Sequence, residues 1–442
     1  MRFTRSKTRW AIAIVALALV AAACGSDDGD GNGDDSTDTT EDLAGQTIEV
    51  MASWGDEEQA GFEEVLAAFT AETGVEVTYV SERDLPIVLP TRVAGGNAPD
   101  VAMIPRPGII SGFVDDGVAI SFADLGVDQS AIDANYSDGI QDLATFDGQL
   151  YGLMTASNSK STFWYKPASF EEQGFSEPNT WDELVAISDG YVTAGKTPLS
   201  IGGLDGWTLT DWFENIYVRV AGPDMYNDLF VTNEVKWTDE TAVTTMELFR
   251  DIVAPTDVKL VGGAAGTNST GFIDAWDLVL GGDAEMYYEG GFMSSFGAEN
   301  FPDLVGGTDY TFFNFPEIDS QYGKPVVGGG DFAVAFTNTA ATRAFIDYLA
   351  TPAASEVWGT AAAGARITPN QAVSADIFVD PLTSREALFI KDADIFVFDG
   401  SDLAPGAVGG DAMFTGLQNF IANPDDIQGV LEFIQSAADG AY

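Results

Sequence analysis

The stretch QTIEVMASWGDEEQAGFEEVLAAFTAETGVEVTYV, residues 46–80, contains three hydrophobic patterns in succession. Its first and last parts, 46–54 and 75–80, alternate apolar and polar residues, which predicts two β-strands. The part between them predicts an amphipathic helix, because its apolar residues recur at helical spacing: Phe62, Val65, Leu66 and Phe69. A strand, a helix and a strand in so short a segment form a right-handed βαβ unit with parallel strands. The stretch therefore indicates an α/β fold.

The loops after these two strands are the first candidates for a ligand site. In an open α/β sheet, ligands bind outside the carboxyl ends of the strands. Residues 54–58 and 81–84 follow the two strands. We therefore expect both loops on the rim of a binding cleft.

Three later segments carry local signals of their own. Thr180 stands three residues before Glu183, which is a capping box and predicts a helix start. Pro352 predicts another helix at its first turn. The segment GGGDFAVAF, residues 328–336, predicts a glycine turn followed by a buried strand. Further helices and a further strand are therefore expected beyond the first βαβ unit.

The composition narrows the functional class. With 442 residues, 45% of them hydrophobic, the chain can bury a large core in more than one lobe. The net charge of −50 argues against nucleic acid as a partner, since phosphates need Lys and Arg, and against electrostatic adhesion to anionic lipid. The absence of histidine removes imidazole from any catalytic or metal-binding scheme. We expect no cofactor and no metal.

The amino terminus carries a basic segment followed by an apolar one. Four cations precede the apolar run 10–23: Arg2, Arg5, Lys7 and Arg9. That run is too short for a membrane span of roughly 20 residues, but it suits a signal peptide at 1–23. Three alanines directly before Cys24, the only cysteine, resemble the bacterial lipoprotein box, although Ala21 replaces its usual leucine. The resemblance implies cleavage before Cys24 and acylation of its thiol. The alternatives are a buried core cysteine and an uncleaved anchor.

Residues 24–45 are predicted to be an acidic disordered tether. They carry eight carboxylates and no aromatic or basic residue. Such a segment cannot bury enough apolar surface to offset the entropy of ordering. It would hold a folded body away from the membrane.

Several stretches together are similar to the extracellular solute-binding proteins of carbohydrate ABC importers. The order of these motifs is more specific than any one of them. They are AGGNAPDVAMI (94–104), FDGQLYGLMTASNSKSTFWYKPASFEEQGFSEPNTWDEL (146–184), GDAEMYYEGGFMSSF (282–296), KPVVGGGDFAVAF (324–336) and GARITPN (364–370). The tail at 398–421 is similar to members that take up α-glucosides.

The resemblance implies a periplasmic-binding-protein-like fold of type II. Such a fold has two α/β lobes joined by crossover strands, with the ligand in the cleft between them. One lobe would hold 46–153 plus 328–370, and the other 154–327 plus 371–442. Glycines 328–330 would lie near a crossover, where hinge residues absorb backbone changes.

A sugar site needs polar side chains for the hydroxyl groups and aromatic rings for the apolar faces. Position along the chain and the family pattern together select twelve candidates. They are Trp54, Glu57, Arg83, Arg106, Tyr151, Trp207, Asp211, Glu289, Phe292, Asp331, Arg366 and Phe414. Trp207 and Asp211 stand four residues apart, so a ring and a carboxylate would share one helical face.

Some of these residues have a second interpretation. Trp54 suits the core equally well, Glu57 suits the charge preference of a helix start, and Arg83 suits an ion pair with a nearby acid. Phe292 stands where the family often has a tryptophan that stacks on sugar. Trp212, next to Asp211, is expected in the core.

The resemblance implies capture of an oligosaccharide or α-glucoside, closure of the lobes and delivery to the permease subunits of an ABC transporter. The chain is expected to be a lipid-anchored monomer on the outer face of the cytoplasmic membrane, not an enzyme. One alternative is a binding protein for another small solute, or a surface sensor or adhesin. The other is a secreted glycoside hydrolase, for which Glu285 and Glu289 could supply the carboxylate pair.

Overall fold

The computed structural model describes residues 43–362 and 364–442, with the backbone alone at 298 and 299. The predicted signal peptide, Cys24 and nearly all of the tether lie outside the described residues. The strands are β1 Thr47–Ala52, β2 Glu76–Ser81, β3 Val101–Ile104, β4 Thr145–Phe146, β5 Gln149–Leu150, β6 Gly152–Ser159, β7 Thr162–Tyr165, β8 Leu199–Ser200, β9 Met286–Glu289, β10 Thr311–Asn314, β11 Val326–Ala335 and β12 Phe396–Phe398.

The helices of the first half are α1 Asp56–Thr73, α2 Leu85–Ala94, α3 Pro107–Asp115, α4 Phe122–Leu125, α5 Gln129–Asn135, α6 Asp138–Asp142, α7 Pro167–Gln173, α8 Trp181–Thr193 and α9 Trp207–Phe230. Those of the second half are α10 Glu240–Val253, α11 Thr256–Lys259, α12 Gly263–Thr267, α13 Phe272–Gly281, α14 Gly297–Asn300, α15 Ala340–Leu349, α16 Pro352–Gly359, α17 Pro381–Lys391, α18 Gly400–Leu403, α19 Met413–Ala422 and α20 Ile427–Ala441. Short 3₁₀ turns lie at Gly203–Asp205, Gly291–Phe296 and Ala375–Ile377, and a π-helical turn lies at Ala407–Ala412.

The larger sheet has six strands and contains the βαβ unit predicted from residues 46–80. Its order is β12-β11-β3-β1-β2, and β6 pairs with β11 as well. β1 pairs in parallel with β2 and with β3, so the prediction of parallel strands is confirmed. Helix α1 between β1 and β2 buries the four apolar residues that predicted it.

Strand β11 corrects the prediction of a glycine turn at 328–330. All three glycines lie inside the strand and pair with β6. A side chain would not fit there, because a Cβ at Gly328 would overlap the ring of Phe396 and a Cβ at Gly330 would lie 2.6 Å from the carbonyl oxygen of Ala156. The glycines therefore allow a close approach of neighbouring atoms and not a reversal of the chain.

Asp331 follows these glycines in the middle of β11, and not at a strand start as predicted. The pairing of β11 with β6 shifts register between Asp331 and Phe332, which is a β-bulge. Bulges redirect side chains and are common beside functional sites.

The smaller sheet has four strands in the order β10-β7-β9-β8. β7 is antiparallel to both β10 and β9, and β8 is parallel to β9. Its rings pack with those of helices α8, α9 and α10 in an apolar cluster that includes Trp212, which has no exposed surface. The expected core position of Trp212 is confirmed.

The local helix signals are also confirmed. Thr180 caps α8 with a complete capping box with Glu183, and Pro352 occupies the first turn of α16. These signals depend on neighbouring residues only, so the sequence alone was enough to read them.

Candidate ligand-binding site

A cavity of about 640 Å³ lies where the loops of the two sheets meet, a volume within the usual range for small-molecule sites. The carboxyl ends of β1, β2 and β3 supply Ser53, Trp54, Arg83, Asp84, Pro105 and Arg106. Segments next to the four-stranded sheet and the C-terminal helices supply Asp205, Trp207, Phe272, Phe292, Phe296 and Phe414. Both loops predicted to form the rim contribute to the lining, as the strand rule requires.

Eight of the twelve candidate residues line this cavity. They are Trp54, Arg83, Arg106, Trp207, Phe292, Asp331, Arg366 and Phe414. The other four, Glu57, Tyr151, Asp211 and Glu289, do not lie on its wall.

Glu58, and not Glu57, is the acid of α1 that lines the cavity. Adjacent residues of a helix differ by about 100° in direction, so only one of the two can face the site. The Glu58 carboxylate is buried and accepts hydrogen bonds from Arg83, at 2.9 Å, and from Arg366. The sequence alone shows that acids stand near the start of this helix, but it does not show whether Glu57 or Glu58 faces the cavity.

Tyr151 and Glu289 contact other side chains and backbone groups of the protein away from the cavity. The Tyr151 ring packs 6.3 Å from that of Phe146. Glu289 is fully buried and accepts hydrogen bonds from the Tyr287 hydroxyl and the Gly290 amide. Burial raises the pKa of Glu289 to about 8. Both residues support the structure beside the cavity instead of facing it.

Lys160 is the principal residue that the sequence reading missed. It lies in the short connection between β6 of the six-stranded sheet and β7 of the four-stranded sheet, and it lines the cavity. Its Nζ donates to Asp399 and, at 3.3 Å, to Asp211. Burial acts to lower the pKa of Lys160, but Asp211, Asp399 and Asp402 outweigh burial and raise this pKa well above its usual value. Lys160 is therefore a fixed ammonium group at the junction of the two sheets.

Asp211 thus has a different role from the one predicted. The helical face of α9 does bring Trp207 and Asp211 together, but they meet around Lys160, whose Nζ lies 5.3 Å from the Trp207 ring centre. Burial raises the pKa of the Asp211 carboxyl well above its usual range. Asp211 positions Lys160 from behind the wall.

The other cations of the wall are also paired. Arg83 forms ion pairs with Asp56 and Glu58, as its second interpretation predicted. It also lines the cavity. Arg106 Nε lies 2.9 Å from Asp402 Oδ1, and its guanidinium lies 5.3 Å from the Phe414 ring centre. The Arg83 pairs join the loop after β2 to helix α1, whereas Arg106 joins the loop after β3 to the C-terminal part of the chain.

Aromatic rings form one continuous part of the lining. The ring of Trp207 lies 5.1 Å from that of Phe272 and 6.0 Å from that of Phe292, and Phe272 lies 5.6 Å from Phe296. Trp54 both lines the cavity and packs edge-on against Phe62, so it belongs to the core as well. Such a surface suits the apolar faces of a ring-shaped ligand.

Asp331 is the buried carboxylate of the lining without a hydrogen-bond partner among the described residues. Its side chain lies at the β-bulge of β11 and is 9% exposed. Burial raises the pKa of Asp331 to about 7, while Arg366 acts in the opposite direction. A ligand that donates hydrogen bonds would satisfy this group.

Other acidic groups bear on the remaining alternatives. Asp211, Glu214 and Asp399 place carboxylate oxygens within 4.8 Å of one another, but the ammonium of Lys160 already binds two of the three. Glu285, offered with Glu289 as a hydrolase pair, binds Ser169 and Lys196. Neither Glu285 nor Glu289 lies on the cavity wall.

Comparison with known proteins identifies the family. Residues 53–356 match the bacterial extracellular solute-binding protein family. The chain belongs to this family. The solute-binding protein is 35% identical over 396 residues to the alpha-glucosides-binding periplasmic protein AglE of Rhizobium meliloti, covering 86% of this chain and 84% of AglE. It is 32% identical over 381 residues to the osmoprotective compounds-binding protein GgtB of Synechocystis, covering 84% of this chain and 88% of GgtB.

A solved structure confirms the fold of this solute-binding protein. The bacterial solute receptor AcbH superposes with a TM-score of 0.78 at 20% identity, covering 89% of this chain and 99% of AcbH. The predicted fold class, two α/β lobes with a cleft between them, is therefore confirmed.

Proposed function

We propose that this solute-binding protein captures an oligosaccharide or α-glucoside in the cavity and delivers it to the permease subunits of an ABC transporter. The observation that carries the proposal is the lining itself, in which a continuous aromatic surface and hydrogen-bonding groups share one cavity. Rings cover the apolar faces of a sugar while carboxylates and guanidinium groups bind its hydroxyls. The likeness to AglE over most of both chains supports an α-glucoside.

The likeness to GgtB supports a second ligand class. Its name assigns osmoprotective compounds to that relative. Such a solute could share the same cavity, because the lining combines paired charges with apolar rings. The two ligand classes are separable by direct binding measurements.

The lobes are proposed to hold 46–153 plus 328–370 and 154–327 plus 371–442. A ligand that touches both lobes makes its full set of contacts only in the closed state, so binding shifts the population toward closure. The permease would then recognise the closed form. No covalent chemistry is needed for this task, and we propose a non-enzymatic, monomeric protein.

Membrane attachment is proposed to occur through a lipid on Cys24 after removal of residues 1–23. Among the described residues, no helix has both the length and the apolar character that crossing a membrane requires. The acidic segment 24–45 would then serve as the tether, at the outer face of the cytoplasmic membrane. Mass spectrometry of the mature amino terminus tests this, since an unmodified Cys24 would contradict it.

Isothermal titration calorimetry tests the ligand. The panel contains maltose, trehalose, sucrose and raffinose, with cellobiose as a β-linked control and glycine betaine as a non-sugar osmoprotectant. We expect micromolar binding of at least one α-linked sugar, which corresponds to about −8 kcal/mol. Heat from glycine betaine alone would favour the second ligand class, and heat from none of the sugars would contradict the proposal.

A further inference from the structure

The charges around the cavity do not balance. Its lining contains four cationic side chains and six carboxylates. Each cation is already engaged by a carboxylate: Arg83 and Arg366 by Glu58, Arg106 by Asp402, and Lys160 by Asp211 and Asp399. Every cationic side chain of the lining is therefore already paired, so none is available to bind the carboxylate of a sugar acid.

The remaining carboxylates of the lining are Asp84, Asp205, Asp331 and Asp411. Among the described residues, none of these four forms an ion pair. Asp84 and Asp411 are exposed, so water and salt screen them. Asp205 accepts a hydrogen bond from the Phe272 amide. Of these four, Asp331 alone is nine-tenths buried and has a carboxylate without a hydrogen-bond donor in the part of the chain that the structure describes.

The burial of Asp331 decides which ligand group fits it best. Asp331 lines the cavity, and a bound ligand that takes water away from its carboxylate must donate a hydrogen bond in return. A hydrogen bond to a charged donor is worth roughly twice one to a neutral donor. A hydroxyl would satisfy Asp331, and an ammonium group would satisfy it more strongly. Glu58 and Asp402 add to the negative potential at this position, while Arg366 and Lys160, which are themselves paired with carboxylates, act against it.

The aromatic part of the cavity argues against a quaternary ammonium group as the preferred cation. Side chains of the protein already occupy three of its rings, since Lys160 lies at Trp207, Arg83 at Phe296 and Arg106 at Phe414. A cation that relies on ring faces alone would compete with these side chains. A cation with N–H groups can bind Asp331 directly.

We propose that the cavity takes sugars bearing a protonated primary or secondary amine in preference to their neutral analogues, with the ammonium group bound to Asp331, and that it rejects sugar acids. The inference rests on the proposed sugar-binding function and narrows its ligand class. The ammonium group would donate to the Asp331 carboxylate at the β-bulge, while the ring faces pack on the aromatic lining.

Calorimetry at pH 7.5 with trehalose derivatives tests this proposal. The probes are trehalose, its monoamino-deoxy derivatives at C2, C3, C4 and C6, its 6-carboxylate and choline. We expect at least one amino derivative to bind roughly tenfold more tightly than trehalose, the difference between a charge-assisted and a neutral hydrogen bond. The proposal is overturned if no amino derivative exceeds trehalose, or if the 6-carboxylate or choline binds as tightly as the best amine.

Asp331→Asn checks the partner of the amine. This variant keeps the shape of the side chain, and we expect it to remove about tenfold of the preference for the amine over trehalose. Asp182→Asn, which removes an exposed charge on α8 away from the cavity, should keep the preference. A preference that survives Asp331→Asn overturns the assignment, and the wild-type comparison decides the ligand class even if this variant folds poorly.

The outcomes separate this inference from the proposed function. Binding of neutral sugars without any gain from an amine would leave the sugar-binding function intact and overturn the inference. Binding of an amino derivative without binding of any neutral sugar in the panel would support the preference for an amine. It would contradict the proposed capture of a neutral oligosaccharide or α-glucoside. Absence of binding by every sugar would overturn both.

Discussion

Lys160 is the residue on which the site depends most. Its side chain is 11% exposed, and it is held by Asp211 and Asp399, which are each 1% exposed. Removal of one partner from a buried ion pair leaves the other charge without compensation. Lys160 therefore serves both the cavity and the stability of the junction between the two sheets.

Lys160→Met should lower the free energy of unfolding by about 3–5 kcal/mol, because it leaves two buried carboxylates unpaired. Urea denaturation at pH 7.5 measures this change. Lys236→Met is the matched control, since Lys236 pairs with Asp439 on the exposed surface at 3.2 Å, where ion pairs contribute little. Equal effects of the two substitutions would contradict the role given to Lys160.

Substitution of Glu386 is expected to stabilise the protein, and the size of this effect should depend on pH. Its buried carboxylate accepts a hydrogen bond from the Ser159 amide, and burial raises its pKa to about 7. A carboxyl whose pKa is higher in the folded state than in the unfolded state stabilises the fold at low pH. That contribution is lost as the pH rises from about 4.5 through 7.

Glu386→Gln should therefore stabilise the protein by about 2–3 kcal/mol at pH 8.5 and have little effect at pH 5. The amide avoids burial of a charge and keeps an oxygen for the Ser159 amide. Urea denaturation at the two pH values measures the difference. Glu171→Gln on the exposed face of α7 serves as control, and a gain from Glu386→Gln that is the same at both pH values would refute the explanation.

At the scale of elements, strand β11 connects the main features of the fold. It pairs with β3, β6 and β12, and it carries the glycines and Asp331. A Cβ atom at Gly330 would come too close to the backbone of Ala156, and one at Gly328 would come too close to the ring of Phe396. The element thus places a carboxylate at the cavity through its bulge while its glycine segment stays tightly packed.

Gly330→Ala should destabilise the protein by about 1–3 kcal/mol, because the new methyl group would lie 2.6 Å from the backbone oxygen of Ala156. Gly112→Ala is the control. Gly112 lies inside α3, where a Cβ atom would point into open space, and alanine there should stabilise the helix by about 0.5–1 kcal/mol. Thermal unfolding that ranks the two variants in the reverse order would be inconsistent with this packing.

Much of the fold was predictable because its signals are local. Alternation in β1 and β2, the helical spacing of α1 and the capping box of α8 each depend on residues within one or two turns. The glycines of β11 were misinterpreted because their constraint comes from Ala156 and Phe396, which are distant in sequence. Local composition cannot distinguish a glycine that turns the chain from one that admits a close neighbour.

Residues of the site could be predicted from the sequence when they directly follow a strand. They could not be predicted when partners far away in the sequence fix their position. Trp54, Arg83 and Arg106 follow strands and line the cavity. Lys160 also follows a strand, β6, but it was missed because Asp399, the partner that fixes its position, lies 239 residues away. The choice between Glu57 and Glu58 depended on the rotation of α1, which an acid-rich sequence does not specify.

For the whole molecule, we expect the two lobes to close over the ligand. Small-angle X-ray scattering with and without the tightest-binding sugar of the panel should show a smaller radius of gyration in the bound state. The physical reason is that contacts made to both lobes favour the closed population. An unchanged radius of gyration at saturating sugar would argue against closure on binding.

A crystal structure of the protein with that sugar bound tests ligand capture in the cavity most directly. We expect electron density for an intact sugar in the cavity, with a ring face on Trp207 or Phe292 and hydroxyl groups on Asp331 and Arg366. A sugar bound elsewhere on the surface, or a cleaved sugar in the cavity, would contradict it.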